Sequence, residues 1–138
     1  MTRNLMIAVA VYFAAIAQAF AFECRGPQDA LARVAYYEAR GEGELGMRLV
    51  AEVALNRVND EKFPSSICAV VKQRGQFSWV GRTSGTPNGA SWERAKKIAR
   101  QTLAEGSKHT DALFFRAGGG SKWMNRSRKM KHGAHSFY

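Results

Sequence analysis

Three glutamates lie close together in VAYYEARGEGE, residues 34–44, and they are the first candidates for chemistry in the chain. Leu31, Val34 and Ala35 follow the i, i+3, i+4 spacing of an amphipathic helix. Glu38 comes next at i+7, so the pattern places its carboxyl group on the apolar face. Burial and the negative end of the helix dipole would both raise its pKa. A carboxyl group that stays protonated near neutral pH can act as a general acid towards a glycosidic oxygen.

The position of Glu38 is also compatible with a structural role, which position alone slightly favours. An ion pair with Arg33, Arg40 or a distant arginine would keep the same carboxylate ionised. Glu42 and Glu44 follow in a turn, where solvated acids are the usual case, and Glu44 also favours the start of the next helix. Position alone leaves both roles open for Glu38.

Two helices are expected around these acids. The first, in GPQDALARVAYYEARG, has Pro27 in its first turn and Gly41 at its end. The second, in ELGMRLVAEVALNRVN, is expected to be central because Leu49 and Val53 widen its apolar face. That face is formed by Met47, Val50, Ala51, Ala54 and Val58.

Two further helices and a long loop follow. FPSSICAVVKQ predicts a short helix that begins near Ser65 or Ser66, both good capping residues. The loop RGQFSWVGRTSGTPNGAS is of a length and composition often found at functional sites. SWERAKKIARQTLAEG predicts a helix that ends at Gly106. Its inward positions are Trp92, Ala95, Ile98, Ala99 and Leu103.

The C-terminal part has a different pattern. DALFFRA and AHSFY are short, aromatic and strand-like, and the glycine-rich basic segment GGGSKWMNRSRKMKHG lies between them. Helices followed by a small sheet predict an α+β domain, mainly helical with a small antiparallel sheet near the C-terminus. A chain of 138 residues fits one such domain.

The first residues are typical of export. MTRN carries one basic residue, an apolar run follows, and small residues near Ala19 and Ala21 offer cleavage sites. We therefore expect a signal peptide over residues 1–21, a catalytic domain over residues 22–138, and a periplasmic or extracellular location. The alternative is an N-terminal membrane anchor, because the apolar run from Leu5 to Phe22 just reaches spanning length.

Cys24 and Cys68 are the two cysteines of the chain. In an oxidising compartment such a pair most simply forms one disulfide. A catalytic cysteine is the alternative. His109, His132 and His135 show no zinc-ligand spacing with the cysteines, so no metal site or cofactor is expected.

A formal net charge of +10 favours polyanionic partners. Five cations within ten residues could hold an anionic cell envelope: Lys122, Arg126, Arg128, Lys129 and Lys131. A merely solvated face is the alternative. Export, and the absence of a recognised binding module, argue against nucleic acid.

Several separated motifs resemble those of one family, the spore-cortex-lytic, SleB-type cell-wall hydrolases. They are E-A-R-G-E, the L-N-R of the second helix, F-P before a cysteine, G-Q-F-S, and the closing SKWMNRSRKMKHGAHSFY. The resemblance extends from about residue 28 to residue 138. It implies a lysozyme-like, two-lobed fold and a monomeric enzyme that cleaves the peptidoglycan bond between N-acetylmuramic acid and N-acetylglucosamine. The family's acid aligns with Glu38.

The same resemblance implies a groove for glycan strands. Aromatic faces would contact sugar rings and amides would contact acetamido groups, and core packing is the alternative for each residue. The candidates are Tyr37, Gln76, Phe77, Ser78, Trp79 and Trp123. Trp123 follows three glycines, which favours a groove position, and His135 aligns with a family histidine.

The number of acids bears on the reaction type. A two-carboxylate glycosidase needs a second acid about 5–10 Å from the first. Glu52 and Glu42 are the remaining candidates, and neither lies on a recognisable catalytic element. A single acid favours a lytic transglycosylase over a hydrolase. A non-catalytic basic wall-binding module and a phage endolysin with the same chemistry are the alternative functions.

Overall fold

The computed structural model describes residues 22–83, 85–118 and 122–138, without the side chains of residues 123, 125 and 126. The predicted signal segment, residues 1–21, lies outside this part. The elements are α1 (Pro27–Ala39), α2 (Gly43–Val58), α3 (Ile67–Lys72), α4 (Ala90–Glu105), β1 (Phe115–Ala117), α5 (Lys122–Ser127), β2 (Met130–His132) and β3 (His135–Phe137). The strands form an antiparallel sheet in the order β1-β3-β2. The predicted α+β fold is confirmed.

The core lies between α1, α2 and α4, which all pack against one another, and α2 has a continuous buried stretch as its wide apolar face predicts. The fully buried apolar residues of α2 are Met47, Leu49, Val50, Ala51, Val53 and Ala54. The prediction for Leu103 in α4 is wrong, because this side chain is 38% exposed. Thr102 takes the inward position in that turn, and its hydroxyl donates to the carbonyl oxygen of Ile98 at 2.8 Å. A threonine whose hydroxyl is satisfied within the helix can be buried at little cost.

The predicted helix ends are present. Pro27 lies in the first turn of α1, and the Ser66 hydroxyl caps α3 by accepting from the Ala69 amide at 3.2 Å. Gly106 ends α4 at a φ of +75°, a conformation that favours glycine. Pro27 and Ser66 thus mark where helices begin, and Gly106 marks where α4 ends.

The basic segment is more structured than the sequence pattern predicts. Its composition predicts a connection between two strands, but it contains α5 and the edge strand β2. Phe137 on the central strand β3 faces Phe115 on β1 and Met130 on β2. The three residues of β2 are too few to show the alternation that identifies a strand in a sequence.

The end of α2 holds the chain that leads into the sheet. Asn56 donates through Nδ2 to the carbonyl oxygens of Thr110 and Ala112, at 3.0 Å each. Arg57 donates from Nε to the carbonyl oxygen of Leu113 at 2.7 Å. Both residues belong to the L-N-R motif, so that motif connects the helical part to β1.

The turn between β2 and β3 docks beside the α1–α2 junction. The Ala134 amide donates to Glu42 Oε2 at 3.2 Å, and His132 Nε2 lies 3.2 Å from the Glu42 carbonyl oxygen. Gly133 has a φ of +54°, and a Cβ at this position would run into the Glu42 carboxylate. The hairpin is therefore fixed a few residues beyond Glu38.

Cys24 and Cys68 form a disulfide with their Cα atoms 5.8 Å apart, which confirms the predicted pairing. The bond attaches the segment before α1 to α3. Among the residues that the structure describes, no helix has the length and apolar character needed to cross a membrane.

Candidate active site

Glu38 lies half-buried in the last turn of α1. The indole Nε1 of Trp79 donates a hydrogen bond to Glu38 Oε1 at 3.0 Å. Burial raises the pKa of Glu38 above its ordinary value, and the hydrogen bond from Trp79 opposes this with a smaller effect. The carboxyl group is thus more easily protonated than an exposed glutamate.

The arginines near Glu38 have other partners. Arg33 pairs with Asp29 at 2.9 Å and donates to the carbonyl oxygen of Gly85 at 2.8 Å. The Arg40 guanidinium lies over the ring of Tyr36, 4.8 Å from its centre. Within the described ranges no ion pair to Glu38 is found, so the structural alternative of an arginine pair is not realised there.

Trp79 belongs to a loop without helix or strand, yet its side chain is only 6% exposed. Tyr37 stacks against it with ring centres 4.9 Å apart and an angle of 26°. Phe77 lies 5.8 Å away and Phe22 presents an edge contact at 5.4 Å and 87°. The carbonyl oxygen of Trp79 accepts from the amide and the hydroxyl of Thr83. These contacts direct the indole N–H towards Glu38.

The aromatic contacts continue from the loop into the sheet. Phe77 lies 6.4 Å from Phe115 on β1, which meets His135 edge-on at 5.5 Å. Burial lowers the pKa of His135, Glu42 raises it and His132 lowers it, with a net decrease. His135 is therefore predominantly neutral at pH 7. The loop, the end of α1 and the sheet thus meet around Trp79.

The predicted substrate-binding residues fall into three groups. Gln76 and Ser78 are exposed and Tyr37 is half-buried, so these three have surface available for a ligand. Phe77 and Trp79 are buried in the aromatic cluster, which corresponds to core packing, the alternative to glycan binding for these residues. The side chain of Trp123 lies outside the described part.

Glu52 is an entirely buried acid with a structural environment. It pairs with Arg48 at 2.8 Å and contacts His109 Nδ1 at 2.8 Å. It also accepts from the backbone amides of Lys108, His109 and Thr110 at 2.9–3.1 Å. Burial alone would raise the pKa of Glu52, but the hydrogen bonds from His109, Lys108 and Arg48 together lower it. An ionised, fully occupied carboxylate is unsuited to be a second catalytic acid.

Glu42 Oε2 accepts a hydrogen bond from the Ala134 amide in the β2–β3 turn. Glu44 is half-exposed and pairs with Lys97 at 3.3 Å. Glu38 thus combines a half-buried carboxyl group, a raised pKa and an indole N–H as its donor, whereas the pKa of Glu52 is lowered by several donors. In the same part of the chain, no group of three or more histidine, cysteine or acidic side chains is able to hold a metal.

Two residues contribute to the site through contacts that the sequence does not predict. Phe22 contacts Trp79, and Arg33 holds the loop through Gly85. Phe22 belongs to the apolar run of the N-terminus, so its sequence context does not distinguish it as a residue of the folded domain. The sequence suggests Arg33 as a partner of Glu38, although its position four residues after Asp29 favours the observed pair.

Comparison with known proteins gives consistent similarities. A family model described as Cell Wall Hydrolase matches residues 41–138, beginning just beyond Glu38. The spore cortex-lytic enzyme of Bacillus cereus is 34% identical over 112 residues, which cover 78% of this chain and 42% of that enzyme. The chain thus spans less than half the length of this curated relative. Less than a quarter of the chain lies outside the alignment, so the alignment includes Glu38.

Two solved structures are similar over most of their length. The catalytic domain of the germination-specific lytic transglycosylase SleB from Bacillus anthracis is 31% identical with a TM-score of 0.67. The similarity covers 83% of this chain and 95% of that domain. The catalytic domain of the Bacillus cereus SleB protein is 32% identical with a TM-score of 0.68, covering 83% and 90% of the respective chains.

Proposed function

The chain belongs to the cell wall hydrolase family, and from this premise we propose that it is a lytic transglycosylase acting on the glycan strands of peptidoglycan. The bond cleaved is the one between N-acetylmuramic acid and N-acetylglucosamine. Glu38 serves as the catalytic acid and base. The similarity to the catalytic domain of a lytic transglycosylase supports this assignment of the reaction class.

The observation that carries the proposal is the environment of Glu38. Its carboxyl group is half-buried, its pKa is raised, and its hydrogen-bond partner is a neutral indole N–H rather than a cation. A protonated carboxyl group that retains one free oxygen can donate its proton to a leaving oxygen. The indole then stabilises the carboxylate that forms, because it remains a hydrogen-bond donor to Oε1.

The reaction needs one carboxyl group acting twice. Glu38 first gives its proton to the glycosidic oxygen as the bond from C1 of the muramic acid residue to that oxygen breaks. The carboxylate then takes the proton of the 6-hydroxyl of the same sugar, whose oxygen forms the new bond to C1. The product is a 1,6-anhydro ring, and Glu38 is protonated again. The full occupation of the Glu52 carboxylate supports this one-acid route over a two-carboxylate hydrolysis.

Replacing Glu38 by glutamine tests the role of the acid. Glu38→Gln keeps the shape and the hydrogen bond from Trp79 but cannot donate an acidic proton, so digestion of purified cell walls should fall about 10³-fold. Glu44→Gln is the matched control, since it makes the same change at an exposed acid of the same segment. Digestion that is unchanged in Glu38→Gln would contradict the proposal and would favour a non-catalytic wall-binding module.

The products distinguish transglycosylation from hydrolysis. Mass spectrometry of the released muropeptides should show anhydro ends, which are one water lighter than reducing ends. Reducing ends alone would identify a hydrolase and would require a second acid or an activated water that the one-acid route does not use.

We also propose an exported enzyme that binds an anionic envelope through the basic segment, residues 122–131. Among its described side chains, Lys122, Arg128, Lys129 and Lys131 are exposed. The disulfide supports an oxidising compartment, where such bonds persist. Tyr37, Gln76 and Ser78 are proposed to contact the glycan, because they have free surface close in sequence to Glu38 and Trp79.

A further inference from the structure

The chain before α1 forms an arm, residues 22–26, that has no helix or strand of its own. Despite this, Phe22 is only 8% exposed and packs with the hydrophobic core. The disulfide from Cys24 to Cys68 attaches the arm to α3 two residues beyond Phe22. A covalent attachment this close to a buried aromatic side chain restricts where the ring can lie.

Phe22 lies between two groups that belong to the candidate active site. Its ring meets the indole of Trp79 edge-to-face, with centres 5.4 Å apart. The guanidinium of Arg33 also lies over the ring of Phe22, 5.5 Å from the ring centre. Arg33 in turn donates to the carbonyl oxygen of Gly85, in the same loop as Trp79. The arm thus contacts the loop directly and through Arg33.

We propose that this arm braces the catalytic acid: Phe22 is a positioning residue that holds the indole of Trp79 on Glu38, and the Cys24–Cys68 disulfide holds Phe22. The proposal rests on the proposed function of Glu38. It adds a dependence of that site on a segment 16 residues earlier in the chain and on the oxidation state of two cysteines.

The physical reason is that the ring contacts of Trp79 come from three different parts of the chain. Tyr37 stacks on the indole and Phe77 lies beside it, and both are joined to the helical core or to the loop. Phe22 is the contact that comes from the arm. Without its ring the indole gains space to rotate, and a hydrogen bond at 3.0 Å weakens steeply as its angle departs from linearity.

The test measures the hydrogen bond between Trp79 and Glu38 by NMR and the activity by kinetics. In ¹⁵N-tryptophan-labelled protein, the indole signal of Trp79 should move with pH as Glu38 titrates, and Glu38→Gln should abolish that movement. Phe22→Ala should reduce the pH-dependent movement of the signal to less than about half and lower kcat on soluble glycan fragments about tenfold. KM should change less than kcat, because the substrate contacts are left in place.

Three variants separate positioning from packing. Phe22→Leu keeps most of the apolar volume and should recover most of the signal movement and of kcat. Ile98→Ala opens a cavity in α4, where Ile98 lines a pocket with Arg48 and His109, so it should lower the melting temperature without changing the titration of the indole. Arg25→Ala, at an exposed position of the same arm, should change neither quantity.

A double-mutant cycle tests whether Phe22 acts through Trp79. Trp79→Phe removes the indole donor, so kcat should fall on its own. If Phe22 acts through the indole, Phe22→Ala should then lower kcat less than twofold further in the Trp79→Phe chain. Additive losses in the double variant would overturn the proposal.

Reduction provides a test without changing Phe22. A dithiol reductant transfers two electrons and two protons to the disulfide, which becomes the thiols of Cys24 and Cys68, while the reductant becomes a cyclic disulfide. The freed arm should give the same loss of indole movement and of kcat, and Cys24→Ser with Cys68→Ser should reproduce it. An unchanged indole titration in folded, reduced protein would contradict the proposal.

The two proposals can fail independently. If Glu38→Gln keeps its activity, the proposed function fails, whatever the indole signal shows. If Glu38→Gln is inactive while Phe22→Ala retains both the indole titration and kcat, the brace alone is wrong.

Discussion

The carboxyl group of Glu38 lies in the last turn of α1, where burial and the negative end of the helix dipole both oppose its ionisation. Glu52, on the neighbouring helix, is more deeply buried but has its pKa lowered. The difference is the set of donors: one indole N–H for Glu38, against three backbone amides, an imidazole and a guanidinium for Glu52. Hydrogen-bond donors, more than burial, therefore separate the carboxyl group with a raised pKa from the one with a lowered pKa.

The raised pKa of Glu38 predicts a cost in fold stability at neutral pH. Because its pKa in the folded state exceeds the unfolded value near 4.5, the unfolded state ionises first as the pH rises, so stability is lost above that value until the folded group also ionises. Glu38→Gln has no such loss. We expect the stability of the variant relative to the native chain to increase as the pH rises above about 4.5 and then to level off, with a gain of up to about 1 kcal/mol. Urea unfolding at a series of pH values measures this, with Glu44→Gln as the control, and a difference independent of pH would contradict it.

At the scale of elements, α2 organises the chain on either side of the site. The turn before its first residue holds the β2–β3 hairpin. The middle of α2 binds residues 108–110 through Glu52. The end of α2 binds residues 110–113 through Asn56 and Arg57. The sheet is thereby positioned by side chains of one helix. The position of the sheet therefore depends on α2, whereas Glu38 lies on α1.

Removing the Glu52 carboxylate should release residues 108–110 from α2. Glu52→Gln leaves Arg48 and three backbone amides with fewer acceptors, at a cost of about 3 kcal/mol in the free energy of unfolding. Hydrogen exchange should show faster exchange of the amides of residues 108–110, while the indole titration of Trp79 stays as in the native chain. The exposed Glu61→Gln is the control. A loss below about 0.5 kcal/mol would mean that water replaces the carboxylate at this position.

The helical elements can be predicted because each carries its own local signals. The apolar stripes identify α1 and α2, and Ser66 and Gly106 mark helix ends. Leu103 is wrongly predicted to face inward because hydrophobicity alone does not show that a self-satisfied threonine can take the position instead. The strand β2 gives no local signal, since its pairing with β3 depends on a turn fixed by Glu42, about 90 residues earlier in the chain.

At the scale of the whole molecule, the disulfide joins residues 44 positions apart and closes the N-terminal part of the domain. Cys24→Ser with Cys68→Ser should lower the free energy of unfolding by roughly 3–4 kcal/mol, because the open chain gains conformational entropy when unfolded. Denaturation of oxidised and reduced native protein gives the same quantity without substitution. Equal midpoints for the two forms would show that packing of the arm, not the bond, closes this loop.

The candidate site is only partly predictable, because some of its contacts join residues that are far apart in the sequence. Glu38 can be identified from its place on an apolar stripe, which is a local pattern. Its donor Trp79 lies 41 residues away, and the loop that carries it has no periodicity from which an orientation follows. The contact between Phe22 and Trp79 cannot be predicted from the sequence, because Phe22 is one more apolar residue at the end of the apolar run before it.

The net charge of +10 is spread over the chain, so a specific role for the basic segment must be separated from general attraction to polyanions. Lys122→Gln, Arg128→Gln and Lys131→Gln together remove three exposed cations from this segment. Lys62→Gln, Lys72→Gln and Arg94→Gln remove two lysines and one arginine at exposed positions outside it, leaving the same net charge in the two variants.

We expect the first variant to bind purified cell walls about tenfold more weakly at low salt, and the second to change less than twofold. A plot of log affinity against log salt concentration should become shallower by about 2 for the first variant, because fewer counterions are released on binding. Co-sedimentation with walls at several salt concentrations measures both quantities. Equal losses in the two variants would mean that the whole molecular charge, and not the basic segment, attracts the enzyme to the wall.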